Sequence, residues 1–332
     1  MEILGDTPGA YAAVAAWQAL PGAPSPPTRV RSLEAGHKNR TIYRLEGLEA
    51  DDTWVIAKLC RPATGGIERR IYETILPSVP VTAPRYFGSI EIDGAGLWLF
   101  LEDVGPERFS SEDREQRIAV ARWLGVLHSR AVDVPAADEL PDRGPRHYLE
   151  RLREARRMIV DSLSNRDIRP DDALVLRLVI ELLDTIEADW ASVEAFCGGM
   201  PWTVTHGDIR RKNVSVRRHA ELGLWLLPID WETAGWGVPA ADLAPARGPV
   251  ARPAVDLASY AEAVEWRWPY MDEASCRALA AVGALFRRLA AIDWAAQGLG
   301  LAWPQKPIAQ LRVYLSELED AFASLPWRSA AD

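Results

Sequence analysis

The chain has 332 residues, 48% of them hydrophobic and 26% charged, enough for a substantial core divided over two domains or lobes and too apolar for a disordered chain. A formal net charge of −9 excludes the basic field that a nucleic-acid binder needs. Cys60, Cys197 and Cys276 form no CxxC pair and read as free thiols of a reducing compartment. Glu2 and Asp6 stand where a signal peptide would be basic, and the longest apolar run, Ala278 to Phe286, is far short of the ~18 residues of a membrane span. These features predict a soluble, cytoplasmic protein with no nucleic-acid or membrane partner.

In chain order, a short apolar helix over Ala10 to Leu20 precedes the proline-rich Pro21 to Pro27, so residues 1–28 read as a lead-in and the fold is expected to begin near Arg29. Thr41–Leu45 and Trp54–Leu59 are β-branched and aromatic and predict strands, followed by a helix over Ile67 to Leu76. Arg85–Ile92 and Leu97–Glu102 predict two more strands. After Gly105-Pro106 helical spacing takes over. Ser110 and Asp113 open one stripe (Val120, Leu124, Leu127), at whose end His128 is expected to cap carbonyls. Further stripes run over Tyr148 to Ile159, Leu176 to Trp190 and Leu279 to Ile292, the last ended by Gly298. A β-rich lobe over 29–103 followed by a mainly helical lobe over 104–332 is an α+β arrangement with a cleft between lobes.

One island of strand and loop interrupts the helices. It reads Thr203-Val-Thr-His206-Gly207-Asp208-Ile-Arg210-Arg-Lys-Asn213-Val-Ser-Val216, then Leu226-Leu-Pro-Ile-Asp230-Trp-Glu232. Alternating apolar residues before His206 and after Asn213 predict two strands holding a rigid loop. Phosphoryl transfer needs such a loop, with an acceptor for the substrate hydroxyl proton and oxygen ligands for the magnesium that bridges the phosphates. Asp208 fits the first role, and Asn213 and Asp230 fit the second.

The ordered set Asp-x4-Asn, strand, Asp-Trp-Glu and Gly237-x-Pro239-x-x-Asp242 resembles the aminoglycoside phosphotransferase and choline kinase families, which share the two-lobed protein-kinase-like fold. The resemblance spans about residues 30–300. It implies Asp208 as catalytic base, Asn213 and Asp230 on Mg2+, Asp242 as a brace of the loop and His206 as a packing residue within it. Lys58 would reach the α- and β-phosphates of ATP or GTP. Glu68 or Glu73 would orient it; five residues apart on a helix, these two point roughly 140° apart, and Glu68-x-x-Ile71-Tyr72 fits the family's helix better. Gly36 and Asn39 fall where the family has its phosphate-covering turn. Leu101 and Asp103 would hydrogen-bond the base by their backbones, with Phe100 behind it. Arg210 lies where protein kinases carry a lysine that contacts the transferring phosphate, and Asp-Trp-Glu in place of Asp-Phe-Gly points to a small-molecule kinase.

The acceptor is open on the sequence. An antibiotic or related natural product is the first expectation, and an amino sugar, choline or ethanolamine, or homoserine are alternatives. Trp266, Trp268 and Tyr270 could line its pocket. Two readings from other classes compete. One is a catalytically inactive nucleotide-binding module. The other is a hydrolase using His206 and Asp208 with a metal, for which the remaining histidines lack ligand spacing.

Overall fold

The computed structural model describes residues 2–4, 7–22, 25–33, 42–48, 54–92, 96–135, 137–219, 223–245, 255–301 and 303–328. The chain forms two compact units, Met1–Phe109 with Arg211–Thr233, and Ser110–Arg210 with Ala234–Asp332. The strand-rich return 211–233 thus packs with the N-terminal segment.

The first unit opens with β1 (Glu2–Leu4) and α1 (Thr7–Gln18), then β2 (Arg29–Leu33), β3 (Ile42–Glu46) and β4 (Val55–Cys60). Helix α2 (Pro62–Arg70) follows, then β5 (Tyr86–Ile92) and β6 (Gly96–Glu102). The six strands make one sheet in the order β1-β2-β3-β4-β6-β5, antiparallel except for the β1–β2 pair. Strand β6 is apolar without alternation because β4 and β5 flank it and both its faces are covered; Gly96 to Leu101 are all buried.

The fold begins earlier than the prolines suggest. Ala10, Ala13, Val14, Trp17 and Leu20 of α1 are buried against Val30, Tyr43, Leu45, Trp98 and Phe100 of the sheet. Trp17 meets Phe87 edge-on at 5.7 Å and donates its indole N–H to the Ser25 carbonyl. Burying a side chain of this size contributes about 1.5–3 kcal/mol, so α1 is part of the core and no mere lead-in. Helix α2 also starts earlier than its apolar spacing indicates, because Pro62 occupies a first-turn position where its missing N–H costs nothing. It continues over Ile71–Ile75 as a π-helical turn in which the Leu76 amide donates to the Ile71 carbonyl.

The second unit carries α3 (Arg114–Ala131), α4 (Pro145–Ser162), α5 (Pro170–Ala188), α6 (Trp190–Gly198) and β7 (Thr203–Thr205). The chain then enters the first unit for β8 (Val214–His219) and β9 (Gly223–Pro228), an antiparallel hairpin. It returns for β10 (Gly235–Gly237), α7 (Ala240–Leu243), α8 (Leu257–Val264), α9 (Glu273–Ala296) and α10 (Gln305–Ala323). Asp113 caps α3 by accepting the Gln116 amide, and Gln116 answers by accepting the Ser110 amide. The stripe expected from Leu176 to Trp190 is broken: α5 ends at Ala188 and Trp190 opens α6.

Helix α9 is the spine of this unit. Its side chains Leu279, Val282, Leu285, Phe286, Leu289 and Ile292 are all buried, and Phe286 stacks on Tyr148 of α4 with ring centroids 4.0 Å apart. At Gly283 a β-carbon would lie 1.8 Å from the Ala240 carbonyl oxygen, so only glycine lets α9 close on α7.

The N-terminal turn of α4 carries no acidic residue and holds His147 near Arg143 and Arg151. Burial first, then the two guanidinium charges, push the His147 imidazole down from its ordinary 6.5 to about 3. Between these values the unfolded chain binds a proton that the folded chain refuses, so stability falls as pH drops through this range. His147→Gln removes that dependence. Between pH 6.5 and 5 the wild type is expected to lose up to about 2 kcal/mol more stability than the variant, read by urea unfolding at both pH values.

Candidate active site

In the first unit, β4 ends with Lys58 pointing at two carboxylates. Its Nζ lies 2.7 and 2.9 Å from the Glu68 oxygens of α2 and 2.8 Å from Asp230 Oδ1, just after β9. Glu68 is 1% exposed, which makes Lys58 its necessary counter-charge. Burial works against the Lys58 ammonium, but Glu68 and Asp230 outweigh it and the net shift is upward, so the lysine stays charged. Burial raises the Glu68 pKa, with Asp230 and Glu232 adding to the rise and Lys58 opposing it.

Glu73, the other acidic residue of this stretch, is exposed and accepts the Tyr86 hydroxyl instead. Cys60 lies 3.7 Å from Glu68 Oε1, and burial raises its thiol pKa, so it is an inert neighbour.

Asp230 has φ 68°, alone among the described non-glycine residues in the left-handed region. Aspartate tolerates that region better than most side chains, and such strain collects at functional sites. Oxygen atoms of Glu68, Asp230 and Glu232 come within 4.8 Å of one another, three carboxylates around one lysine. Asn213 is 2% exposed, and its carbonyl accepts the Ile229 amide, tying the start of β8 to the residue before Asp230. Lys212 Nζ stands 3.9 Å from Asp230 Oδ2.

The second unit holds the loop that carries Asp208. Strand β7 pairs with β10, Thr205 opposite Gly235, and ends at His206. The chain turns at Gly207, whose φ of 79° suits glycine, and Asp208 follows. Asp242, at the start of α7 and fully buried, accepts the His206 and Gly207 amides, each at 2.7 Å. The Asp208 amide donates to His206 Nδ1 at 3.3 Å, which makes His206 a prop of the loop.

Asp242 is supported in turn by His128 Nε2 at 3.3 Å, while His128 Nδ1 meets the Tyr260 hydroxyl at 3.0 Å. Burial pushes the Asp242 pKa up, but His128 and His206 with the loop amides overcome it and hold the carboxyl below its ordinary value. His128 therefore does not cap its own helix; it is buried and turned toward α7 and α8. Asp208 Oδ2 lies 2.6 Å from Arg210 Nη2, and Oδ1 lies 3.3 Å from Arg287 Nη2 of α9.

Arg287 and Tyr260 are missed by motif reading, and His128 is assigned the wrong partner. The one available signal is the Arg287-Arg288 pair that follows nine apolar residues on a helix, where a buried charge needs a partner.

At the expected base-binding segment, Phe100 is buried in the sheet core and Leu101 lies within β6. The Asp103 amide donates to the Trp54 carbonyl at 2.8 Å, so that N–H is engaged within the fold. The Asp103 side chain accepts the Gly105 amide and pairs with Arg44. Gly36 and Asn39 lie outside the described residues. Trp266 is half-exposed beneath Arg130, whose guanidinium is 4.0 Å from its ring centroid, while Trp268 is buried and Tyr270 exposed. None of the described helices is long and apolar enough to cross a membrane.

Residues 29–274 match the model of the phosphotransferase enzyme family. The chain belongs to that family, and it is a phosphotransferase with a small-molecule hydroxyl as acceptor. No curated protein matches the sequence.

Among solved structures it is similar to an ethanolamine kinase of Plasmodium vivax, with 14% identity, TM-score 0.57 and coverage of 91% of this chain and 84% of that one. An aminoglycoside phosphotransferase of Alicyclobacillus acidocaldarius has 17% identity, TM-score 0.55 and 95% coverage of both chains. A spectinomycin phosphotransferase, solved with ADP and spectinomycin, has 14% identity, TM-score 0.55 and coverage of 89% and 92%. Identities this low establish the fold, the two-lobed kinase-like α+β class.

Asp242→Asn keeps the shape but sets an amide N–H2 against a backbone N–H. The substitution is expected to cost about 2–4 kcal/mol in urea unfolding and to lower turnover with it. A variant as stable and as active as the wild type would remove Asp242 from its bracing role.

Proposed function

We propose that the protein transfers the γ-phosphate of ATP or GTP to a hydroxyl of an antibiotic or related natural product. The observation that carries the reading is the Asp208 carboxylate, held at the end of a strand by a loop whose amides are fixed on buried Asp242. A base placed this way is pre-oriented, which is what phosphoryl transfer asks of a protein. In the reaction the acceptor hydroxyl gives its proton to Asp208 as its oxygen bonds to the γ-phosphorus. The bond from that phosphorus to the bridging oxygen breaks, and the nucleoside diphosphate leaves with the electron pair.

Lys58, held by Glu68, takes the α- and β-phosphates, and Arg210 faces the transferring group. The oxygen-rich, net-negative set around Asp230 fits a hard divalent cation. Asn213 and Asp230 would hold Mg2+, which when bound neutralises charge on the phosphates. Leu101 and the Asp103 carbonyl remain the contacts for the nucleotide base, and Trp266, Trp268 and Tyr270 the aromatic candidates for the acceptor. The choice of a natural product as acceptor rests on family membership and on relatives described as aminoglycoside and spectinomycin phosphotransferases. A cytoplasmic setting, where nucleotide is plentiful and the buried free thiols stay reduced, completes the reading.

The experiment is a coupled nucleotide-consumption screen over hydroxyl-bearing antibiotics, sugars and amino alcohols. Acceptor-dependent turnover is expected to vanish with EDTA and to fall by about 10²–10⁴ in Asp208→Asn. Turnover that survives Asp208→Asn unchanged would refute the assignment of the base.

A further inference from the structure

The Asp208 carboxylate has a guanidinium on each oxygen, and the two are held very differently. Arg210 sits two residues away in the same loop, its side chain 38% exposed. Pairs of that kind are weak, because water and salt compete for both partners. Arg287 is 7% exposed and comes from the middle of α9. Its second arm donates to the Ala241 carbonyl at 2.9 Å, beside the Asp242 that grips the loop. One helical turn earlier, Gly283 lets α9 lie directly on Ala240 of α7, which fixes the helix that carries Arg287.

We infer that Arg287 is the fixed positioning residue of the base, and that Arg210 is an exchangeable one that leaves Asp208 Oδ2 for the transferring phosphoryl group. The inference rests on the kinase reading above and adds a division of labour to it. With Arg210 withdrawn, Oδ2 has a lone pair for the acceptor proton, while Oδ1 stays on Arg287 and keeps the carboxylate plane aimed. The guanidinium of Arg210 then meets the phosphoryl oxygens, where charge collects as the bond to the diphosphate breaks.

Folding alone does not call for Arg287. Apart from buried Arg288, which pairs with Glu317 of α10, its neighbours on α9 are small or apolar, and an apolar side chain of similar volume would avoid the cost of desolvating a charge. Burial does disfavour the Arg287 charge, and Asp208 and Asp242 offset that. A buried arginine kept on an apolar face is accounted for by the carboxylate it orients.

The test uses the full chain with Mg·ATP and water as the acceptor, reading ADP release. Thermal unfolding and the affinity of a fluorescent nucleotide are measured alongside. Arg287→Met is expected to keep wild-type nucleotide affinity and to unfold at a somewhat lower temperature, because the Ala241 carbonyl loses its donor, while kcat falls about 100-fold. Arg287→Lys should recover about tenfold of that loss, since an ammonium reaches the carboxylate without the second arm. Arg210→Gln should lose about tenfold or more in kcat with nucleotide affinity unchanged.

An Arg287→Met enzyme with wild-type kcat, or one whose kcat falls only in step with nucleotide affinity, would overturn the role of Arg287. If Arg287→Met does not fold, Arg287→Lys decides: reduced kcat at wild-type stability supports the inference, and undiminished kcat sinks it. An unaltered Arg210→Gln enzyme removes the exchange. Asp208→Asn separates the two levels. Undiminished ADP release there refutes the kinase reading, whereas an inert Asp208→Asn beside a fully active Arg287→Met refutes the positioning role alone.

Discussion

One buried carboxylate organises the loop that carries Asp208. Asp242 has no exposure to solvent, and its two oxygens take the His206 and Gly207 amides. An ionised group in that position must be fully satisfied, and the requirement spreads outward. It recruits His128 from α3, and His128 recruits the Tyr260 hydroxyl from α8. It needs α7 at a fixed height, which the contact between Gly283 and Ala240 supplies. Four elements distant in sequence are thereby tied to a loop of three residues. The helical unit serves to hold the Asp208 backbone still.

A different economy governs the strand-rich unit. There the charges are in excess on one side, with Glu68, Asp230 and Glu232 gathered around Lys58. Burial and the neighbouring carboxylates push the Glu68 pKa up, and Lys58 opposes the rise. The left-handed backbone at Asp230 brings its carboxylate to Lys58 at a conformational cost that the fold must absorb. Strain in the backbone and a gathering of carboxylates fall here on the same few residues, Asp230 among them.

What could be read in the sequence was what depends on short spacing. The loop from His206 to Asn213, the strand into Asp230 and the helix after Lys58 are all local, and their residues lie where alternation and helical spacing put them. The relation of Glu68 to Glu73 was readable for the same reason, since helical rotation separates two residues five apart. Arg287 was not readable, because its partner is 79 residues away and its own surroundings spell an apolar helix stripe. His128 failed similarly: the end of a helix suggests a cap, and only tertiary packing shows an aspartate above the ring. The segment before Arg29 was misjudged because prolines mark a break in the backbone and say nothing of what α1 covers. At Asp103 short spacing could not show that its amide is engaged by the carbonyl of Trp54, an exposed residue just before β4.

The basic run Arg210-Arg211-Lys212 acquires a physical meaning from these two economies. Its first member pairs with Asp208 in the helical unit, and its last stands near Asp230 in the strand-rich unit. The chain leaves one unit and enters the other between Arg210 and Arg211. A single loop thus gives a cation to each of the two carboxylates that matter most. Both cations are exposed, and both are of the kind that salt and substrate displace readily. The permanent partners, Arg287 for Asp208 and Lys58 for Asp230, are buried and come from rigid elements. Each carboxylate therefore has one fixed counter-charge that sets its direction and one loosely held counter-charge from the loop.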